Sequence, residues 1–383
     1  MDKFTGNLLR FIRQEQLLEQ GDSLIVGYSG GADSTCLLYA LSGLSALLKL
    51  RLYAVHVNHG LRGAESERDE QFCREMTARL GVPLQVVRAD VRARSDQDGI
   101  SEEEAGRLIR YQAFEEARSR LLKCGSDDGM RDPDGVGRDH DSSGSDRKGS
   151  RRVLIATAHH ADDQAETILL NLFRGTGLPG LSGMRAKRGA LIRPLLFASR
   201  REIVNWLGER GIPYVTDSTN LSDDYTRNFL RNRILPALSN HVNARAAQHV
   251  CMAGDFCSQA DRYLREEAGA FLDSCACEAV GKVPDTDGKN IKIPHIPLKE
   301  KPQIFRRYVI IEALDRLHAP LRNIGERHLA DLDKALFAGR GFHLDLPNGI
   351  SADNLYRTTV LRLSEGEQSR DKHQISGGEK DGI

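Results

Sequence analysis

Leu24-Ile25-Val26-Gly27-Tyr28-Ser29-Gly30-Gly31-Ala32-Asp33-Ser34-Thr35-Cys36-Leu37-Leu38-Tyr39 joins two apolar runs through a glycine-rich turn. The first run is predicted to be a short buried strand and the second a helix. A loop between them presents backbone N–H groups and the positive end of a helix dipole, a setting that suits phosphate. It is not a Walker A loop, which needs Gly-Lys followed by Ser or Thr. The Gly-x-Gly-x-x-Gly dinucleotide pattern is also absent here. Ser29 and Ser34 supply hydroxyls around Gly30, Gly31 and Ala32, and Asp33 supplies an acid. An acid beside phosphate is repulsive unless a cation lies between them, which implies Mg²⁺. An ordinary strand-to-helix turn with a capping Asp or Ser is the alternative.

The same alternation continues outward. Strands are predicted at 23–28, 52–57, 84–88 and 153–158, and helices at 33–48, 65–80, 102–122 and 161–174. Such a pattern predicts an α/β fold, a parallel sheet with helices on both faces, followed by a mostly helical region. In such sheets ligands bind at the carboxyl ends of the strands. Residues 1–20 read as an amphipathic helix rather than a signal peptide. Residues 125–152 hold seven Asp and six Gly with almost nothing apolar, so they are expected to form a disordered insert. Further on, helices are expected at 199–210, 225–238 (stopped by Pro236), 243–280, 300–317 and 326–337. Residues 342–363 read as a small hairpin, and 365–383 as a frayed tail.

The chain has 383 residues, with 54 Lys+Arg against 54 Asp+Glu, so two or three domains are expected and any basic surface is local. No apolar run reaches the length of a membrane span. The seven cysteines are scattered and odd in number, which suggests reduced thiols in the cytoplasm. Cys275-Ala-Cys277 lacks a second pair with zinc spacing and reads as helix residues.

Four further clusters carry chemistry. His159-His160-Ala161-Asp162-Asp163 follows the strand at 153–158. If a helix starts there, His159 and Asp163 share one face, and Asp33 and Asp163 are positioned to share one Mg²⁺; helix capping is the competing reading. Asn58-His59 ends the second strand, either as ligand groups or as a turn. Arg107 and Arg110 lie on one helical face, where they either clamp triphosphate oxygens or pair with nearby glutamates. Arg227-Asn228-Phe229-Leu230-Arg231-Asn232-Arg233 lies within 184–249, where eleven Lys+Arg face five Asp+Glu. That excess suits a nucleic acid, or a basic helix with no such partner. Gly175-Thr176-Gly177-Leu178-Pro179-Gly180 does fit Gly-x-Gly-x-x-Gly, but it follows a helix and reads as a turn.

In chain order, SGGADS (29–34), NHGLR (58–62), EEEAGRLIRY (102–111), TAHHADDQAET (157–167), RGTGLPGLSGM (174–184), RPLL (193–196) and TDSTNLSDDYTRNFLRNRILPAL (216–238) resemble the tRNA(Ile)-lysidine synthetase family of the N-type ATP pyrophosphatase, or PP-loop, group. The resemblance is strong over 23–240 and looser to about 364. It implies a Rossmann-like PP-loop catalytic domain over 1–220 and a mostly helical tRNA-binding domain over 221–364. It also implies an ATP-dependent ligase, with ATP and Mg²⁺ as cofactors and free L-lysine and the CAU-anticodon tRNA(Ile) as partners. In that family O2 of cytidine 34 is adenylated, and lysine then displaces AMP to give lysidine.

By the same resemblance, Ser29, Gly30, Gly31, Asp33 and Ser34 would hold pyrophosphate and Mg²⁺, His159 and Asp163 would form the family's His-x-x-x-Asp pair, and Arg231 would be its essential arginine. Taken with the readings above, Ala32, Asn58, Arg107 and Arg110 are expected to join the ATP site, Asp33 and Asp163 to hold the metal, and Asp33, His159, Asp163 and Arg231 to carry catalysis. Arg227, Asn228, Arg231 and Arg233 are expected to meet tRNA. The 125–152 insert departs from the family pattern. Some members also carry a further C-terminal domain, which this chain is expected to lack. A PP-loop tRNA thiolase is the alternative function, against which stands the absence of any Cys-x-x-Cys. The oligomeric state is left open, with a homodimer among the options.

Overall fold

Ser23–Gly27 is buried along nearly its whole length, as expected of a strand with neighbours on both sides and helices on both faces. In the computed structural model this strand, β1, is central. The structure describes residues 1–60, 63–124, 152–216, 226–278, 290–318, 324–338, 341–355 and 357–363. The insert (except Arg152), the tail, Leu61-Arg62 and residues 217–225 therefore lie outside the described residues.

The chain divides into two compact units, one of residues 1–174 and 183–254, the other of 175–182 and 255–383. In the first, the strands are β1, β2 (Arg51–Asn58), β3 (Leu84–Arg88), β4 (Val153–Ala156), β5 (Lys187–Arg188) and β6 (Leu191–Ile192). Their order is β3-β2-β1-β4-β6-β5. Strands β3 to β6 run parallel in that order, and β5 closes the edge antiparallel to β6. Ser23 pairs with Arg51 on one side and with Val153 on the other. The chain thus moves from β1 to β2 in one direction and returns to β4 in the other. That reversal leaves a crevice at the carboxyl ends of β1 and β4.

The helices of this unit are α1 (Lys3–Gln14), α2 (Ala32–Leu48), α3 (Ala64–Leu80), α4 (Val91–Asp98), α5 (Glu102–Cys124), α6 (Ala161–Phe173) and α8 (Arg200–Glu209), while α7 (Leu178–Leu181) belongs to the second unit. Alternate residues of β1 face opposite cores. Leu24 and Val26 pack with Leu8, Leu37, Leu41 and Trp206 of α1, α2 and α8. Ile25 packs with Tyr53, Val55, Phe114 and Ala117 of β2 and α5. Helix α4 was not among the sequence expectations. Arg152 lies inside the expected disordered insert, yet it is in place. Its guanidinium meets Glu19 and Asp22, and its carbonyl accepts from the Ser23 N–H.

Residues 226–241 run as α9 (Thr226–Phe229), a π-helical turn (Leu230–Ile234) and α10 (Leu235–His241). The helix therefore does not stop at Pro236, contrary to expectation. Proline lacks an N–H and crowds the carbonyl four residues back, and the wider turn just before it lets the helix continue. This segment packs through Leu230 and Leu235 on Ala165 and Leu169 of α6.

The second unit contains the later part of α11 (Ala246–Glu278), with α12 (His295–Lys299), α13 (Gln303–Arg316) and α14 (Glu326–Ala335). Its sheet comprises β7 (Asn290–Pro294), β8 (His343–Leu346), β9 (Ile350–Leu355) and β10 (Thr358–Leu363), ordered β7-β10-β9-β8 and antiparallel. The expected hairpin is thus part of four strands, because β7 adds an edge from a distant segment.

Gly27 ends β1 where α5 presses on the sheet. A Cβ there would lie 2.6 Å from Cζ of Phe114, a ring that is 2% exposed and has no room to withdraw. Gly27→Ala is expected to cost about 1–3 kcal/mol through overpacking. Denaturant unfolding should show that loss, and Phe114→Leu in the same chain should restore part of it.

Candidate active site

The loop after β1 is held by its own hydroxyls. Ser34 Oγ accepts from the Ser29 N–H at 3.2 Å, lies 3.1 Å from Ser29 Oγ and donates to the Gly31 carbonyl at 3.1 Å. Thr35 Oγ1 donates to the Gly30 carbonyl at 3.1 Å. Gly30 has φ +83°, and a Cβ there would meet Cys73 Sγ at 3.1 Å, so glycine is required. The N-cap of α2 is Gly31, which makes no side-chain cap bond. The first N–H groups of this 17-residue helix therefore point into the crevice without a capping side chain. The alternative of a loop capped by Asp33 or Ser34 is not what is built.

Across the crevice, α6 begins at Ala161 with His160 as its N-cap. The His160 N–H donates to Asp163 Oδ2 at 3.0 Å, and the Asp163 N–H returns to His160 Nδ1 at 3.5 Å. His160 is 3% exposed. Its Nε2 lies 3.4 Å from Asp163 Oδ2 and 3.7 Å from Asp33 Oδ2. The expected stacking of His159 with Asp163 on one helical face is thereby corrected. The helix starts one residue too late for it, and His160 is the histidine between the two acids. His159 instead places Nδ1 3.0 Å from Thr157 Oγ1. Burial, with Arg193, Arg107 and Arg227 nearby, lowers its pKa to about 4 in spite of Asp163.

Asp33 and Asp163 come from the first turns of two helices, α2 and α6, to the same imidazole. Asp33 Oδ1 is buried and has no hydrogen-bond partner, while Asp33 Oδ2 meets the Arg200 guanidinium. Asp163 gives Oδ1 to Arg231 Nη2 at 2.7 Å. Burial alone would raise the Asp163 carboxyl, but His160 and Arg231 hold it below its ordinary value. Mg²⁺ takes one or two carboxylates and completes its shell with phosphate oxygens and water. The bare Asp33 oxygen fits that demand, and Asp163 adds the lone pairs that Arg231 and His160 leave.

Arg231 is built into this network. Its Nε donates to Glu166 Oε1 at 2.6 Å and its Nη2 to Glu166 Oε2 at 3.2 Å. Glu166, which the sequence reading passed over, is completely buried, and burial raises its carboxyl despite Arg231. Arg227 donates to Thr167 Oγ1 at 3.1 Å and lies 3.7 Å from Glu166. Asn228 is half-buried and Arg233 is exposed. Arg231, expected to act in catalysis and to meet tRNA, pairs with two acids and keeps part of its side chain exposed.

Asn58 is likewise committed. Its amide donates to Glu70 Oε2 at 3.0 Å and accepts from the Gly60 N–H at 3.0 Å. Arg88, with Asn58 and Arg74, holds Glu70 down to about 2. Asn58 therefore shapes the rim of a cleft of about 660 Å³ beside the ends of β2 and β3. Arg107 and Arg110 are exposed, with Arg107 stacked 5.0 Å from the Tyr111 ring centroid.

His160 and Glu166 each carried a local signal. His160 stands three residues before Asp163 in capping-box spacing, and Glu166 stands one turn after Asp163. Among the described residues no cluster of three or more His, Cys, Asp or Glu is arranged to hold a metal, and Cys36, Cys73 and Cys257 are free thiols. The side chain of Cys277 lies outside the described residues.

Arg231→Ala strands Glu166 and Asp163. Because the Arg231 side chain keeps 36% exposure, the expected loss is about 2 kcal/mol, below the ~3–5 of a fully buried pair. Chemical denaturation should show it, and adding Glu166→Leu should recover part. His159 should titrate by NMR near pH 4. The unfolded chain takes up this proton first, so its stabilising contribution is complete above about pH 6.5 and lost as pH falls toward 4. Wild type minus His159→Gln should isolate that slope.

The PP-loop domain family matches residues 2–123 and 147–238. The tRNA(Ile)-lysidine synthase of Caldanaerobacter subterraneus subsp. tengcongensis is 30% identical over 362 residues, covering 94% of this chain and 69% of that protein. That of Clostridium perfringens is 29% identical, over 96% of this chain and 71% of its own length. That of Parabacteroides distasonis is 38% identical over 72% of this chain and 56% of its own. Among solved structures, the U34-tRNA thiolase NcsA from Methanococcus maripaludis aligns with TM-score 0.47 and 15% identity over 66% of this chain and 78% of that one. With its PP-loop domain and relatives matched over most of its length, the chain belongs to the tRNA(Ile)-lysidine synthase family.

Proposed function

We propose that this protein adenylates O2 of cytidine 34 in the CAU-anticodon tRNA(Ile) and then joins L-lysine to C2, producing lysidine. In the first step O2 attacks the α-phosphorus of ATP and pyrophosphate leaves. In the second, the lysine amine adds at C2, the C2–O2 bond breaks and AMP departs with its electron pair. The observation that carries this reading is the uncapped start of α2, which carries Asp33, facing His160 and Asp163 across one crevice. That arrangement suits transfer at a phosphate, and the relatives' names supply the tRNA substrate.

The N–H groups of Ala32, Asp33 and Ser34 take the pyrophosphate end of ATP, where a helix start favours anions. The cleft beside Asn58 has room for the nucleoside. Asp33 and Asp163 would hold Mg²⁺, which neutralises charge on the phosphates. His160 keeps the two carboxylates together. His159 is neutral at pH 7 and offers the α-phosphoryl group a hydrogen bond rather than a charge. Arg231 is a positioning residue that fixes Asp163 and Glu166. Arg233, with Arg227 and Asn228 beside it, faces tRNA within the locally basic 184–249 region. No helix among the described residues is long and apolar enough to cross a membrane, and we place the reaction in the cytoplasm with its ATP and tRNA.

Incubation with ATP, Mg²⁺, labelled lysine and a CAU-anticodon tRNA(Ile) transcript should put label into tRNA, with one AMP per lysine. Unlabelled tRNA would refute the reading. Asp33→Asn should lower turnover by about a thousandfold, because metal charge stabilisation is worth several kcal/mol and each ~1.4 is tenfold. Its melting temperature should stay near wild type, since the lost Arg200 pair is half exposed.

A further inference from the structure

Arg193 follows β6, one strand beyond β4 at the carboxyl edge of the sheet. It is only 7% exposed. Its Nη1 donates to the Arg185 carbonyl at 2.7 Å, and its Nε is buried with no hydrogen-bond partner. The Tyr111 hydroxyl lies beside it, and the same hydroxyl takes a 3.5 Å contact from Arg107 Nη2. Among the described residues, neither Arg193 nor Arg107 pairs with a carboxylate. Arg107 and Arg188 add like charge to the Arg193 surroundings, and desolvation with their fields lowers its pKa. Arg193 and Arg107 also contribute to holding His159 neutral.

A buried guanidinium normally has an acid to offset its desolvation. Here a carbonyl, a phenol and two other arginines surround it, and one N–H has nothing to meet. Closing the β5–β6 turn would need only the bond to the Arg185 carbonyl, and it explains neither the unmet N–H nor the converging Arg107. An anion explains both, because a guanidinium offers several donors in one plane to phosphoryl oxygens.

We infer that Arg193 and Arg107, on the two sides of the Tyr111 hydroxyl, form a second phosphate-binding site at the end of β6, separate from the glycine loop at the end of β1. The inference rests on the proposed function for the identity of its ligand, a phosphoryl group from either ATP or the tRNA backbone beside the reacting cytidine. Two anion sites either side of the β4 end would hold the two phosphate-bearing parts of the reaction apart, with His159 between them.

The test uses the full chain with Arg193→Gln and Arg107→Gln. Calorimetry would give the affinities for inorganic pyrophosphate and ATP, and filter binding across a salt series that for the tRNA transcript. Each variant is expected to weaken the same ligand by about tenfold, the effect of losing a charge-assisted contact. Loss on ATP or pyrophosphate names the nucleotide as the source. Loss on tRNA, with the salt slope shallower by about one unit, names the backbone. If both variants keep all three affinities within about twofold of wild type, the site is refuted and Arg193 is a structural cation. Should Arg193→Gln fail to fold, Arg107→Gln, at an exposed position, decides by the same thresholds. Pyrophosphate binding requires no lysine transfer, so this result stands apart from whether the wild type labels tRNA.

Discussion

The pairing of β1 with β2 on one side and β4 on the other is the constraint from which the site follows. A parallel strand needs a crossover to each neighbour, and crossovers that diverge cannot cover the ground between them. The gap opens where β1 and β4 both end. Everything with chemical character converges there: the glycine loop and Asp33 from one strand, His159, His160 and Asp163 from the other. Helix α8 is fastened to the same place, since the Arg200 N–H donates to Asp162 Oδ2 at 2.6 Å and the Ala161 N–H to the Ala198 carbonyl at 2.8 Å. Paired capping boxes on α6 and α8 fasten these helix starts, and with them the position of Asp163.

Charge in this unit is distributed unevenly, and that unevenness is informative. Glu166 and Asp163 have their cation in Arg231, and Glu70 has Arg74 and Arg88. These networks order the walls of the crevice. Among the buried polar atoms without a hydrogen-bond partner, which include Arg152 Nε and Arg227 Nε, are Asp33 Oδ1 and Arg193 Nε. Leaving such groups unmet costs stability, and natural structures keep few of them. One is an acceptor suited to a cation and the other a donor suited to an anion. A metal–phosphate substrate presents both.

The second unit has a core of its own, built from Tyr308, Val309, Leu314, Ile350 and Leu361 among others. Its buried polar contacts are structural: Asp261 accepts from the Tyr308 hydroxyl at 2.7 Å and pairs with Arg265 at 3.1 Å. Arg306 grips Asp333 through two nitrogens, at 2.7 and 2.9 Å. Among its described residues, the buried side-chain atom without a hydrogen-bond partner is Arg307 Nε.

Local physics made most of the elements legible. The four long strands of the first sheet and helices α2, α3, α5 and α6 lie close to their expected positions, because periodicity, glycine and capping residues act over a few neighbours. The order of motifs likewise pointed to the PP-loop family and its phosphate loop. Other features depend on residues far apart in the chain. The position of β4 beside β1 depends on packing against both faces of the sheet, which no single segment encodes. His160 displaced His159 because the start of α6 is set by a cap bonded to Asp163. Arg231 turned inward because Glu166, 65 residues earlier, is buried beneath it. Arg193 stood in the RPLL motif without an assigned role, since an arginine acquires its meaning only when the fold removes water from it without supplying an acid. By itself, then, the sequence determined the elements and the phosphate-binding turn, which follow from short-range geometry. The tertiary structure alone decided which acids, bases and cations face one another, because burial and Coulomb energy depend on distance in space and not along the chain.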